Sequence, residues 1–166
     1  MTEPTYILTA QLDAESFAWL DGLRRAHFPP ARNVLSAHLT LFHRLSPQQL
    51  IALQAVVLPS APIAVTFDAV MFLGFGNAIR ASAPDLERLR ADIKAEIGDD
   101  ISRQDSQRWV PHVTIQNKVA ADAARALQSA LTRDFRTRTG SVIGLQVWHY
   151  LGGPWALAQS FPLIRS

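Results

Sequence analysis

Two short segments constrain this 166-residue chain more than anything else in it: His-Leu-Thr-Leu at 38–41 and His-Val-Thr-Ile at 112–115, 74 residues apart. The chain has five His and nine Thr. That composition yields about 0.27 His-x-Thr triplets by chance, and two or more in roughly 3% of shuffled sequences. Both copies place aliphatic residues at the second and fourth positions, which is the period of a strand with one face in a core. Each therefore reads as a short strand, 38–42 and 112–116. Leu39, Leu41, Val113 and Ile115 should point inward, with His38, Thr40 and Phe42, or His112, Thr114 and Gln116, on the opposite face.

The flanking segments repeat in the same order. Residues 5–12 alternate as a strand, and Asp13 opens a helix whose Phe17, Leu20 and Leu23 form one stripe ending before Pro29-Pro30. After the first motif, Ser46-Pro47-Gln48-Gln49 supplies an N-cap, a proline at the first helical position and a Gln to close a capping box. That helix should carry Leu50, Leu53 and Val57 inward and stop by Pro59. Residues 63–73 read as a long strand, turned by Gly74-Phe75-Gly76-Asn77 into another near 78–82. Pro84 begins a helix with Leu86, Leu89, Ile93 and Ile97 on one face and Gly98 past its end. A helix over 120–131 follows the second motif, then strands at 137–150 and 155–164 around Gly152-Gly153-Pro154.

The order is βαβαβ, βαβαβ and one more strand. Adding 74 carries Leu12 to Leu86, Leu23 to Ile97, Leu53 to Leu127 and Val57 to Leu131. The expected fold is α+β and bilobal: duplicated βαβαβ halves, mainly antiparallel sheets facing a central cleft, helices outside. We expect one domain over 1–166, with pseudo-symmetric halves of about 1–75 and 76–150 and a closing strand in 151–166.

Composition narrows the chemistry. The absence of Cys removes disulfides, thiol nucleophiles and Cys-ligated metals. The apolar stretch from Val65 to Phe75 is broken by Asp68 and Gly74 and is too short to span a bilayer. Met1-Thr2-Glu3-Pro4 has no basic leader, so the cytoplasm is the expected compartment. A net charge of +2 does not make a nucleic-acid coat, although 14 of the 16 cations are Arg. Arg24, Arg25, Arg32 and Arg44 flank the first motif, and Arg103, Arg108 and Lys118 the second; they form either a basic rim for RNA or an ordinary solvated surface.

If a pseudo-two-fold axis relates the halves, the two His and two Thr meet across one cleft. An imidazole titrates near ~6.5, so one ring can be neutral while its partner is protonated: a base and an acid across one substrate. Displacement at a phosphodiester needs that pair, with threonine hydroxyls holding the non-bridging oxygens. The scheme requires no metal and no cofactor, and the chain has neither a His-Glu-x-x-His nor a Gly-x-Ser-x-Gly motif. The repeat leaves open which His is acid and which is base. Phe42 is a candidate to stack on a base and Gln116 is its counterpart, whereas His43 falls out of phase with His38.

Two His-x-Thr-x signatures on strands, one in each half of a duplicated α+β chain, resemble the 2H phosphoesterase superfamily. Within it the chain looks most like the bacterial 2'-5' RNA ligase and RNA 2',3'-cyclic phosphodiesterase branch. The resemblance implies a bilobal fold with a central cleft and metal-independent opening of 2',3'-cyclic phosphates to 2'-phosphates; some members also join RNA ends reversibly through 2'-5' linkages without ATP. It makes His38 and His112 the acid/base pair, Thr40 and Thr114 the phosphate holders, and an RNA end or cyclic nucleotide the partner. No protein partner is expected, and without heptads the chain defaults to a monomer. Phe42-His43-Arg44 and Gln116-Asn117-Lys118 match only loosely the basic or aromatic residues that follow the family's motifs. Two alternatives share the cleft: an RNA or nucleotide binder without turnover, and a phosphodiesterase for another small cyclic phosphate.

Overall fold

The first two α-helices begin where a side chain serves their free amides. Asp13 accepts from the Ser16 amide at 3.1 Å. Ser46 and Gln49 form a full capping box, with reciprocal bonds of 3.2 and 2.8 Å. In the computed structural model, which describes residues 3–163, the elements are β1 (Tyr6–Leu12), α1 (Ala14–His27), β2 (Leu39–Leu45), α2 (Pro47–Leu53), β3 (Ile63–Phe72), β4 (Asn77–Ser82), α3 (Pro84–Ile97), α4 (Arg103–Ser106), β5 (His112–Gln116), α5 (Ala121–Asp134), β6 (Arg138–Tyr150) and β7 (Trp155–Pro162). Met1, Thr2 and Ile164, on which the reading of the leader and the end of the closing strand partly rested, lie outside the described residues. The order is the expected one with α4 added. Val57 does not point inward: α2 ends at Leu53, and Val57 is 89% exposed in the loop beyond it.

All strand pairs are antiparallel, in the order β1-β2-β5-β4-β3-β6-β7, and β6 also returns to β1. The long β6 makes this possible. Its residues 138–142 pair with β3 and its residues 142–149 with β1, so it joins one arm, β2-β1-β6-β7, to another, β5-β4-β3. The third strand of each repeat crosses to the other arm. Asp13 fixes the crossing point: its amide donates to the Ser141 carbonyl and its Oδ1 accepts from the Ser141 amide, each at 2.9 Å.

Leu8, Leu39, Leu41, Ile79, Val113, Ile115 and Leu145 are buried in one continuous core with Leu86 and Ile93 of α3. Where the arms meet, β2 and β5 share the single register pair Leu39↔Val113 among the described residues. The two motifs thus lie side by side at the centre of the molecule, and β5 must be held from its other end. There the Gly74–Gly76 turn closes on it. The Leu73 amide donates to the Gly76 carbonyl at 2.9 Å, and a Cβ at Gly76 would fall on the Gln116 carbonyl oxygen, with the Asn117 Cα 2.6 Å away. Both obstacles are backbone, which cannot rotate aside. Gly76→Ala should therefore destabilise the protein by at least ~2 kcal/mol, whereas Gly153→Ala, facing open space, should change stability by less than ~0.5 kcal/mol; urea unfolding of the two variants checks the contrast.

Candidate active site

The motif strands contain the same irregularity at the same place. Along β1 and β2, Thr9 faces Thr40 but Leu8 faces Phe42, so Leu41 is an extra residue. Along β4 and β5, Ala78 faces Thr114 but Asn77 faces Gln116, so Ile115 is an extra residue. Each is a β-bulge at the fourth motif position. A bulge restarts the alternation, and this corrects two expectations. Phe42 is fully buried, its ring under the Arg90 guanidinium at 4.4 Å, and cannot stack on a substrate. Gln116 is 7% exposed and accepts from the Asn77 side chain at 3.0 Å, away from the cleft. The same shift brings His43 back to the face of His38 and Thr40, although simple alternation placed it out of phase.

Each bulged strand needs a donor for carbonyls that the ladder no longer serves. Arg90 of α3 donates through Nε to the Leu41 carbonyl at 2.9 Å and through Nη2 to the Asp105 carbonyl at 3.0 Å. Arg24 of α1 donates to Asn33 Oδ1 (2.8 Å) and to the carbonyls of Leu35 and Thr114 (2.9 Å each). The clamps are crossed, since a helix of each half holds the motif strand of the other. Both guanidinium groups are buried, so Arg24 belongs to the scaffold and not to a basic rim. Arg44, another candidate from that group beside the first motif, pairs with Asp100 at 3.7 Å.

Extending the Leu39↔Val113 register by one residue each way sets His38 level with Thr114 and Thr40 level with His112. His38, Thr40, His112 and Thr114 line one cleft of about 260 Å³, together with His43, Arg108 and Trp109. His38 Nδ1 lies 2.8 Å from the Ser36 carbonyl, and His112 Nδ1 lies 2.8 Å from the Val110 carbonyl. A carbonyl only accepts, so both Nδ1 atoms carry hydrogen and both Nε2 atoms are left for the cleft. In that tautomer each ring can take a proton at Nε2 when neutral or give one when charged.

The surroundings of His38 then set its proton affinity. Burial pushes the pKa of His38 down to about 4, against the pull of the Ser36 carbonyl, and the charges of Arg24, His43 and His112 lower it further. His38 is therefore neutral near pH 7. Its ring lies 4.9 Å from that of Trp155 at 58°.

The segment before the second motif adds what the sequence reading missed. Asp105 in α4 is 1% exposed at its side chain; its Oδ1 meets His43 Nδ1 at 2.8 Å, and its Oδ2 accepts the backbone amides of His43 and Arg44 at 2.8 and 3.3 Å. Burial raises its pKa, but the bonds from His43 and from Ser102 outweigh that and hold it below the usual carboxylate value. Trp109 donates its indole N–H to the Thr40 carbonyl at 3.1 Å. The one legible signal here was Ser102, whose hydroxyl caps the Asp105 amide at 3.1 Å.

Residues 12–154 match the family described as the 2'-5' RNA ligase superfamily. The chain belongs to that superfamily. No curated protein sequence matches it. Among solved structures, the fold is shared with Escherichia coli LigT complexed with NADP+ (TM-score 0.64, 16% identity, covering 99% of this chain and 100% of that one). It is also shared with LigT complexed with 3'-AMP (0.65, 16%, 97% and 98%) and with the Thermus thermophilus protein TT0787 (0.66, 15%, 98% and 99%). This 2'-5' RNA ligase superfamily member thus has an antiparallel α+β fold with both His-x-Thr motifs on one cleft.

The depressed His38 pKa has a measurable sign. An unfolded His binds its proton near 6.5 and the folded one near 4, so as pH falls the unfolded state takes up the proton first. The contribution is fully stabilising above 6.5 and is lost between 6.5 and about 4. Denaturant unfolding at pH 7 and pH 5 should show a smaller loss of stability in His38→Gln than in wild type.

Proposed function

We propose that this protein is a metal-independent phosphodiesterase that opens 2',3'-cyclic phosphates of RNA ends or nucleotides to 2'-phosphates in the cleft between β2 and β5. The observation that carries the reading is the pair of Nε2 atoms left for the cleft by two Nδ1–carbonyl bonds, each beside a threonine from the opposite motif. Neutral His38 takes a proton from water as its oxygen attacks phosphorus; the bond from phosphorus to O3' breaks, and His112 delivers a proton to O3'. The 2'-phosphate remains, and exchange with solvent resets both rings. Thr40 and Thr114 donate to the non-bridging oxygens, while His43 beside them is held at Nδ1 by Asp105 and at Nε2 by the Gln104 amide. An RNA 5'-hydroxyl in place of water gives a 2'-5' linkage by the same proton transfers, without ATP, because the cyclic ester already holds the required energy.

The test is hydrolysis, with EDTA present, of a nucleoside 2',3'-cyclic phosphate and of a short RNA ending in one. His38→Ala and His112→Ala should each lower kcat by about 10²-fold or more. The rings differ with a substrate whose 3'-oxygen is sulfur: a thiolate leaves without a proton, so activity should return to His112→Ala and not to His38→Ala. If both single variants kept wild-type turnover on the oxygen ester, the mechanism would be wrong.

A further inference from the structure

The cleft that holds the motifs is the smaller of two cavities that meet at His38. The other, about 510 Å³, opens on the far side of that ring, over the β1-β6 arm. Its size is that of a small-molecule subsite. Its chemistry differs from that of the motif cleft: among the described residues no Asp, Glu, Lys or Arg lines it, and His38 itself is kept neutral by burial. A phosphate gains little there.

What does line it is aromatic and amide. Trp148 donates its indole N–H to Thr9 Oγ1 at 2.9 Å, which fixes the ring, and Trp155 stands 6.2 Å from it, forming a corner against His38. Phe17, 37% exposed despite its place on the apolar stripe of α1, lines the cavity from the helix side. Between these, Gln11 and Gln146 line the floor. A Cβ at Gly144 would come 3.0 Å from Gln11 Oε1, so the glycine makes room for that amide to lie close to the sheet. Aromatic faces with side-chain amides, which both donate and accept, and no charge match a heteroaromatic ring with a polar edge. An alkyl chain would leave the amides unserved.

We infer that this cavity is the subsite for the nucleobase joined to the phosphate held at His38, stacked against the tryptophan corner and read at its edge by Gln11 and Gln146. The inference rests on the phosphodiesterase reading for the covalent link between the two occupants. The binding chemistry of the cavity stands apart from it.

The experiment has two arms. In the first, the indole N–H signals of Trp148 and Trp155 are followed by NMR while adenosine or uridine, neither carrying phosphate, is added to the full chain; both signals should shift saturably, and Gln146→Leu should weaken that binding. In the second, kcat/KM is compared for the four nucleoside 2',3'-cyclic phosphates and for 1-O-methylribose 2',3'-cyclic phosphate, which has no base. Gln146→Leu and Phe17→Ala should each lower the nucleoside values about tenfold, reorder the four bases in the first case, and leave the base-free substrate unchanged. Indole signals that ignore nucleosides would overturn the subsite, as would variants that affect nucleoside and base-free substrates alike. Saturable nucleoside binding at the indoles without turnover of any cyclic phosphate would uphold the subsite and overturn the phosphodiesterase reading.

Discussion

A buried guanidinium donating to a strand carbonyl, made twice, is the interaction on which the centre of this protein depends. A bulge leaves main-chain oxygens without ladder partners, and in a dry interior such an oxygen costs about 1–3 kcal/mol if nothing serves it. Arg90 and Arg24 serve the Leu41 and Thr114 carbonyls with charge-assisted bonds. Neither cation is spent on a single acceptor: the Asp105 carbonyl takes a second bond from Arg90, and Asn33 and Leu35 take the rest of those from Arg24. Phe42 and Trp109 lie 4.4 and 5.1 Å from the Arg90 guanidinium, so its faces are covered by rings. Since β2 and β5 share one register pair, the crossed clamps supply much of what keeps the two motifs in step.

The duplication that makes the motifs alike does not make their surroundings alike. Both His rings take the same pose, each with Nδ1 on the carbonyl two residues earlier. Around the first motif, however, stand Trp155 from the closing strand and Asp105 from α4, and neither has a counterpart in the repeat. Two rings of equal proton affinity could already serve as acid and base in either order, and a perfect two-fold axis would leave the roles interchangeable. The added elements make the surroundings of the first motif distinct and leave the shared Nδ1–carbonyl pose intact.

Much of this was legible in the sequence, for reasons that separate local from non-local physics. The caps at Asp13 and Ser46, the terminator at Gly98 and the strand period of both motifs act within a few residues, and the starts of those helices and strands fell at or within a residue of where the signals placed them, although α2 stopped early and β2 ran on to Leu45. The site residues with their own signature, His38, Thr40, His112 and Thr114, came together as the alternation required. The bulges carried no such mark. Leu41-Phe42 and Ile115-Gln116 read as ordinary alternation, and the extra residue moved Phe42 and Gln116 into the interior and His43 into the cleft. Asp105 lies 62 residues from its partner His43, and four-residue α4 is shorter than any helical period can reveal. Arg24 looked like surface charge because nothing local shows that three acceptors converge on it.

The position of His38 ties recognition to proton affinity. Water on both sides of an imidazole would stabilise its charged form and leave its pKa near 6.5. Here packing beside Trp155 and burial of the ring lower its pKa to about 4, although its edges border both the motif cleft and the second cavity. A ring so poor in protons is held ready to accept one, and it pays for that readiness in basicity. The deficit shrinks when an anionic phosphate enters the motif cleft, because a nearby negative charge favours the imidazolium. The planar base proposed for the other cavity would keep water out without adding charge. In the proposed complex the substrate's two parts would act on one ring in opposite senses: the phosphate would raise its affinity for the proton it takes, and the base, by displacing water from the other wall, would lower it.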